Sequence, residues 1–273
     1  MIRFLTASFL IFSVFGLAQS SKKQAALLEE GKMLYRSEMT SWYGTDAFLA
    51  AFPDRDQIGG YFSYIDADSS RCIFYNRSEN PVVLGTISFQ DSFSVEIASV
   101  NLQRRVFSET EREYYALRNR AVERLKSDTI FKHYKNTSFN IIPIITKKEK
   151  KVYYLTGPNV SGVVIFGNDY LLTFDKKGGI KSLKRLHNNI IWMEYKEGQE
   201  SSMHSHNETT GDYMTATDIC TLMLYGKITG WTHHVVVSKK YQSFWNCKTQ
   251  DLFVLPTKTV EKIHAAQEAD GED

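Results

Sequence analysis

The sequence has few cysteines and almost no net charge, and each shortage argues against a class of protein. Only three cysteines occur in 273 residues, Cys72, Cys220 and Cys247, which is too few for a disulfide scaffold. In an oxidising compartment one pair could form a disulfide and leave one thiol. The formal net charge is +2. Because nucleic-acid-binding surfaces normally carry a basic excess, this balance argues against a nucleic-acid partner.

Two common catalytic motifs are also missing. No G-x-S-x-G sequence occurs, so a serine nucleophile elbow has no support. The glycines of GPNVSGVVIFG are not followed by the lysine and serine that end a phosphate-binding loop. No repeat period is visible either. With 42% hydrophobic and 13% aromatic residues, the chain can nevertheless bury an ordinary core.

Only the N-terminus carries a long apolar run. It reads MIRFLTASFLIFSVFGLAQSSKK, with a positive charge at Arg3, an apolar segment over 4–17 and small residues at Gly16 and Ala18. This pattern predicts a secretory signal peptide over residues 1–18, cleaved after Ala18. The run is too short for a comfortable membrane span. We therefore expect a secreted or periplasmic chain that is soluble and has no membrane contact after cleavage.

Apolar periodicity predicts an α+β protein in two parts. We expect short helices over 24–36 and 46–52, then a β-meander from Gly60. Ser108 and Glu111 form a capping-box pattern that begins a helix over 108–128. Strands follow, with a helix over 217–225 and another over 260–267. The predicted units are an N-terminal β-rich unit (19–107), an α/β domain (108–267) and a frayed tail (268–273), and the first two could share one core.

The stretch MHSHNETTGDYMTATD, residues 203–218, carries the strongest chemical pattern. Side chains two apart on a strand face the same way, so His204 and His206 project together. Asp218 lies at the start of the helix TDICTLMLY and can turn back toward the strand end. Two imidazoles and a carboxylate at about 2 Å suit a catalytic zinc ion, which keeps a fourth position for water. Asp218 could equally be a helix N-cap. His233 and His234 begin the next strand and are interpreted as structural, with contact to the site as the less favoured alternative.

This pattern resembles the JAMM motif of MPN-domain metalloproteases, H-x-H-P-x(5)-P-S-x-x-D. His204, His206 and Asp218 match its metal ligands, and Thr215 matches its serine. The segment DIC-T…HHVVVSKKYQSFW is also similar to RadC-type proteins, which share that fold. The resemblance covers about residues 108–256. It implies a cytidine-deaminase-like mixed sheet with flanking helices in the C-terminal half.

The resemblance implies a zinc-dependent hydrolase that cleaves a peptide or isopeptide bond. Thr215 would stabilise the oxyanion, and an upstream glutamate would serve as the base. Glu149 is the candidate, although its place among four lysines equally suits a solvated turn. Asn207 and Met214 stand where the motif has prolines, and the loop is one residue longer.

The alternative is a catalytically degenerate member of the fold, a non-enzymatic binding or structural protein of the cell envelope. The two hypotheses differ in whether a carboxylate lies within reach of the zinc-bound water. A disulfide between Cys220 and Cys247 is also left open by the sequence.

Overall fold

The structure is a computed structural model that describes residues 5–66 and 69–270, with side chains described from residue 22 to 269 outside the same gap. It confirms the α+β class. The described residues contain four α-helices and one short 3-10 helix: α1 (Leu5–Ala51), the 3-10 helix (Arg55–Gln57), α2 (Glu109–Ser127), α3 (Ala216–Thr229) and α4 (Thr257–Asp270).

The strands form one two-stranded and three four-stranded sheets. They are β1 (Ile58–Asp66), β2 (Ser69–Asn76), β3 (Val83–Phe89), β4 (Ser99–Asn101), β5 (Thr137–Ile145), β6 (Lys150–Pro158), β7 (Val163–Gly167), β8 (Tyr170–Phe174), β9 (Ile180–Arg185), β10 (Ile190–Glu194), β11 (Ser201–Ser205), β12 (His233–Val237), β13 (Tyr241–Asn246) and β14 (Asp251–Pro256). The sheet orders are β1-β2-β3-β4, β5-β6-β8-β9, β10-β7 and β11-β12-β13-β14. All pairs are antiparallel except β11 with β12.

The chain divides into two compact units. The first contains residues up to Lys32 and from Gly198 onwards, and the second contains Met33–Glu197. The first unit therefore holds the sheet β11-β12-β13-β14 with α3 and α4, and the second holds the other three sheets with α2. The predicted boundary at residue 107 falls inside the second unit, so the division into a β-rich unit and a domain over 108–267 stays a prediction.

The prediction of separate short helices near the N-terminus is wrong, because one helix of 47 residues runs through both segments. Polar residues in the middle of the helix interrupt the apolar periodicity, so the sequence pattern does not show that the helix continues. Thr40 and Thr45 satisfy their hydroxyls within the helix, by donating to the carbonyls of Arg36 and Ser41 at 2.6 Å each. The helix also continues through Gly44, where a Cβ atom would lie 2.8 Å from Cys72 Cβ, so glycine allows close packing on β2.

The predicted signal peptide falls partly on residues 1–4, which lie outside the described residues, and partly on the first turns of α1. Within the described ranges, no helix combines the length and apolarity that a membrane crossing requires. Secretory export stays a prediction. At the other end of the chain, α4 extends to Asp270, past the predicted helix end at Gln267, and residues 271–273 of the predicted tail are outside the described part.

The second unit is organised by α2 and the strands around it. The predicted capping box is confirmed: Ser108 Oγ accepts from Glu111 N, and Glu111 Oε2 accepts from Ser108 N at 2.8 Å. Arg105 also donates to both oxygens of Glu111, at 2.5 and 2.7 Å. Burial alone would raise the pKa of Glu111, but these hydrogen bonds and the guanidinium charge hold it below its usual value. The predicted β-meander is present as β1, β2 and β3.

In the first unit, α3 connects two parallel neighbouring strands, as parallel strands require. The register pairs Ser202 with His234 and His204 with Val236. Because side chains alternate along a strand, Ser202 and His204 of β11 face the same side as His234 of β12. Gly31 of α1 also belongs to this unit, and a Cβ atom there would lie 2.6 Å from Ile219 Cγ2 on α3.

Candidate metal centre

The positions of the two motif histidines are set by strand β11 and by the backbone pairing with β12 that continues past its end. His204 is the fourth residue of the strand. His206 follows the strand, but its backbone N–H still donates to the carbonyl of Val237 on β12 at 2.8 Å. The alternation of faces therefore continues, and both imidazoles lie on one side as the sequence predicts. Both are buried, at 6% and 7% exposure.

The aspartate comes from the first turn of α3. Thr215 is the N-cap, and its hydroxyl accepts from Asp218 N at 3.1 Å. In return, Asp218 Oδ2 accepts from the Thr215 N–H at 2.8 Å and from its hydroxyl at 2.8 Å. The two interpretations of Asp218 are thus compatible. The residue completes a capping box, and its carboxylate, 1% exposed, also faces the histidines.

Three potential donor groups converge at this point. His204 Nε2 lies 3.1 Å from His206 Nε2. The carboxylate completes a triangle, with Asp218 Oδ1 at 3.7 Å from His204 Nε2 and Oδ2 at 3.3 Å from His206 Nε2. A tetrahedral zinc ion with bonds of about 2.0–2.1 Å holds its ligand atoms about 3.3 Å apart. The observed separations, which involve both carboxylate oxygens, are close to this spacing.

The far side of each imidazole is also hydrogen-bonded. His206 Nδ1 lies 3.0 Å from the carbonyl oxygen of Tyr213, so it carries the hydrogen and leaves Nε2 as an acceptor. His204 Nδ1 lies 2.8 Å from His234 Nε2, and His234 Nδ1 lies 2.7 Å from Ser202 Oγ. Metal-binding histidines usually donate their second N–H in this way, which fixes the tautomer and the ring orientation.

Two assignments of the ring hydrogens account for these contacts. In the first, Ser202 donates to His234, His234 donates to His204, and His204 Nε2–H donates to His206 Nε2. In the second, every bond of the Ser202–His234–His204 relay is reversed. His204 then donates from Nδ1, and the Nε2 lone pairs of His204 and His206 face each other. A cation between them stabilises this second state, and the three rings carry the same number of hydrogens in both.

His234 takes part in the relay as a neutral ring. Burial lowers the pKa of His234 to about 3, the neighbouring His204 and His206 lower it further, and Asp218 opposes this shift. The sequence interpretation of His234 as merely structural is incomplete, because His234 is 0% exposed and contacts a motif histidine. The available signal was the doublet His233-His234 at the start of a strand, but only the β11–β12 register shows which one faces His204.

The structure places Thr215 beside the three predicted ligands and places Glu149 in the other unit. Glu149 lies in the turn between β5 and β6, where its side chain is 59% exposed and pairs with Lys151 at 2.6 Å. Its role as a base stays a prediction. Thr215 keeps its hydroxyl on Asp218, so its role toward an oxyanion stays a prediction too.

Neither Cys220 nor Cys247 is bridged, and the same is true of Cys72. Cys220 is buried within α3, whereas Cys247 lies near Gly226 of the same helix, 3.6 Å from where a Cβ atom would be. Burial raises the pKa of the Cys247 thiol to about 11 and, as the largest of several effects, that of Cys72 to about 12. Both thiols therefore stay protonated at neutral pH, and neither is prepared for nucleophilic chemistry.

The chain was compared with protein families, curated proteins and solved structures. No protein-family model matches it, and no curated protein or solved structure matches it either. What the structure supports is therefore coarser than a family: a buried group of histidine and aspartate side chains, His206 and Asp218 among them, that could hold a metal ion.

Proposed function

We propose that His204, His206 and Asp218 form a zinc site. The observation that carries the proposal is the convergence of His204 Nε2, His206 Nε2 and the Asp218 carboxylate at 3.1–3.7 Å. Two imidazoles and one carboxylate are a usual ligand set for catalytic zinc, which keeps its fourth position for water. The hydrogen bonds from the far side of each ring support the same ligand assignment.

We further propose that the chain is an exported zinc-dependent hydrolase of JAMM/MPN type that cleaves a peptide or isopeptide bond. The ligands come from a strand, a helix and the loop between them, in the order that the motif has. A bound zinc ion would acidify its water to a pKa near about 7 and polarise the scissile carbonyl. His204, His206 and Asp218 would fix the ion, and the hydroxyl of Thr215, with its hydrogen moved from Asp218, would face the oxyanion. Glu149 is the proposed base.

A second candidate function, a non-enzymatic binding or structural protein of the cell envelope, is favoured by two observations. The hydroxyl of Thr215 is already engaged by Asp218 in the capping box. The carboxylate of Glu149 is exposed and paired with Lys151 in the turn of a hairpin. In this alternative, zinc stabilises the first unit, because an ion that binds only the folded state adds its binding free energy to folding.

The first experiment is the metal content of the purified chain, measured by elemental mass spectrometry. Wild type is expected to carry one zinc per chain, and the double variant His204→Ala/His206→Ala none. His233→Ala is the matched control, since this neighbouring histidine is exposed and contacts Thr232 instead. Zinc-free wild type that is as stable as the double variant would remove the metal proposal.

The second experiment separates the two candidates once zinc is found. The zinc-loaded chain is incubated with a peptide library, and cleavage is followed by mass spectrometry. The hydrolase proposal expects cleavage that chelation abolishes and that Asp218→Asn lacks. Zinc binding with no cleavage of any peptide or isopeptide-linked substrate favours the non-enzymatic protein, and Glu149→Gln with full activity would remove Glu149 as the base.

A further inference from the structure

The second unit contains a polar cavity that the metal proposal does not use. It has a volume of about 260 Å³ and lies between one face of α1, Tyr61 of β1 and Asn140 of β5. The helix contributes side chains at successive turns of this face, which are Glu38, Ser41, Trp42, Thr45 and Asp46. These spacings of three and four residues place all of them on the same side of the helix. The volume is just below the range of pockets for drug-sized ligands, so the cavity suits a smaller molecule.

Charge in this cavity has one sign. Glu38 and Asp46 are its two ionisable acids, and no lysine or arginine belongs to the lining. Among the described residues, neither carboxylate has a basic partner within ion-pair distance. Glu38 Oε2 accepts one hydrogen bond, from Asn140 Nδ2 at 2.7 Å. A half-buried carboxylate that accepts a single hydrogen bond from a neutral donor is a costly arrangement that a cation would relieve.

The pKa of the Glu38 carboxyl reflects this cost of burial. Burial raises the pKa of its carboxyl from 4.5 to about 7, although the Asn140 hydrogen bond lowers it. Three other groups face it. Asp46 shares the cavity, Tyr61 has its own pKa raised in part by the Glu38 charge, and Arg118 lines, together with Glu38, an adjoining cavity of about 50 Å³. The guanidinium of Arg118 lies over the Tyr61 ring, 5.8 Å from its centroid. Among the described residues, Arg118 forms no ion pair with Glu38, and its charge is not among the effects that set the pKa of Glu38.

The walls and rim are aromatic as well as acidic. Tyr61 lines both cavities, and Trp42 stands at the rim with 49% of its surface exposed. Indole and phenol faces attract organic cations within about 6 Å, and Trp is the strongest of these groups. Carboxylates together with aromatic faces therefore select a positively charged ligand with an apolar body over an anion.

We propose that this cavity binds a small organic ammonium ion, with Glu38 and Asp46 as its counter-charges and Trp42 as its aromatic wall. The ammonium group would occupy the space beside Glu38, and its hydrocarbon part would lie along Trp42. This binding is independent of the metal centre, since all its residues belong to the second unit and none contributes to the zinc ligands.

The proposal is tested by titrating the full chain with n-butylammonium chloride, using calorimetry and chemical shifts of the Trp side-chain N–H groups. Saturable binding to wild type is expected, and Glu38→Gln should weaken it by about tenfold or more because one member of a charge pair is lost. Glu79→Gln is the matched control, an exposed acid in the turn after β2. Asp46→Asn changes an exposed rim position, so it should leave the fold intact and also weaken binding.

The neutral analogue 1-butanol and the sugar methyl β-glucoside identify the chemistry of the ligand. The ammonium should bind at least about tenfold more tightly than the alcohol of the same length. Its affinity should also rise between about pH 6 and pH 8 in wild type and stay flat in Glu38→Gln, since a bound cation needs the ionised carboxylate. Absence of saturable ammonium binding, equal affinity for the alcohol, or binding of the sugar that Glu38→Gln leaves intact would each overturn the proposal.

Discussion

The variant His234→Leu tests whether the hydrogen-bond relay prepares the metal centre. His234 Nε2 lies 2.8 Å from His204 Nδ1, and His234 is 0% exposed. Zinc binding requires the lone pair on His204 Nε2, so the ring hydrogen of His204 must move to Nδ1 and needs an acceptor there. Leucine has a similar volume but cannot accept this hydrogen. We therefore expect His234→Leu to weaken zinc binding while His204, His206 and Asp218 remain in place.

The size of the effect follows from the loss of one acceptor in a dry site. Removing a partner that orients a ligating histidine typically costs about 10–100-fold in metal affinity. This loss corresponds to about 1.4–2.7 kcal/mol. His234→Gln should lose less, because its amide oxygen can accept the same hydrogen. Ser202→Ala should lose least, because it removes only the far end of the relay, 2.7 Å from His234 Nδ1.

Zinc affinity is measured by competition with a chromophoric chelator at neutral pH, and circular dichroism verifies the fold of every variant. His233→Leu is the control, since His233 is exposed and its ring contacts Thr232 at 3.0 Å. The reasoning is refuted if folded His234→Leu binds zinc within about twofold of wild type, or if both leucine variants lose the same affinity, because either result would show that the relay does not act on the metal.

Three further predictions concern packing, acidity and thiols. Gly44→Ala should lower the free energy of unfolding by about 1–3 kcal/mol through overpacking against Cys72, which exceeds the gain of up to about 1 kcal/mol in helix propensity. Gly226→Ala has room for the methyl group and should raise the stability measured by thermal unfolding. As the pH rises from 4.5 to about 7, wild type should lose up to about 3 kcal/mol of stability relative to Glu38→Gln, because the carboxyl ionises at a lower pH in the unfolded chain than in the folded one. Denaturant titrations measure this difference, and a constant difference across the range contradicts the raised pKa. A thiol reagent should label half-buried Cys247 before buried Cys72, with rates still rising above pH 9, and the opposite order contradicts their assigned burial.

The convergence of the three candidate ligands could be predicted from the sequence, because it depends on local geometry. Strand alternation brings His204 and His206 to one face, and a helix start turns Asp218 back toward them. These are properties of short segments. The hydrogen bond between His234 and His204 could not be predicted from the sequence, since it depends on β11 pairing in parallel with β12 in one particular register. A shift of that register by one residue would have turned His234 to the opposite face.

The long helix α1 shows a different limit of sequence reasoning. Its middle is polar over SEMTSWYGTD, so the apolar pattern breaks although the backbone continues. Two features allow the continuation: threonine hydroxyls that bond back to carbonyls, and a glycine where the helix approaches β2. The same polar stretch lines the acidic cavity. Because this segment interrupts the hydrophobic pattern without ending the helix, it led to a wrong predicted helix boundary. The same segment forms the polar wall of the candidate ammonium site.

The contact between Gly31 and Ile219 bears on the order of events during synthesis. Residues of the first unit come from the two ends of the chain. During translation, the α1 turn around Gly31 emerges early, but its partner helix α3 follows only after the whole of the second unit has been made. The first unit therefore has to wait for a late, long-range closure, and such contacts are slow to form. A ribosome stalled just after Glu197 has left its exit tunnel would display a complete second unit and an N-terminal segment whose partner helix has not yet emerged.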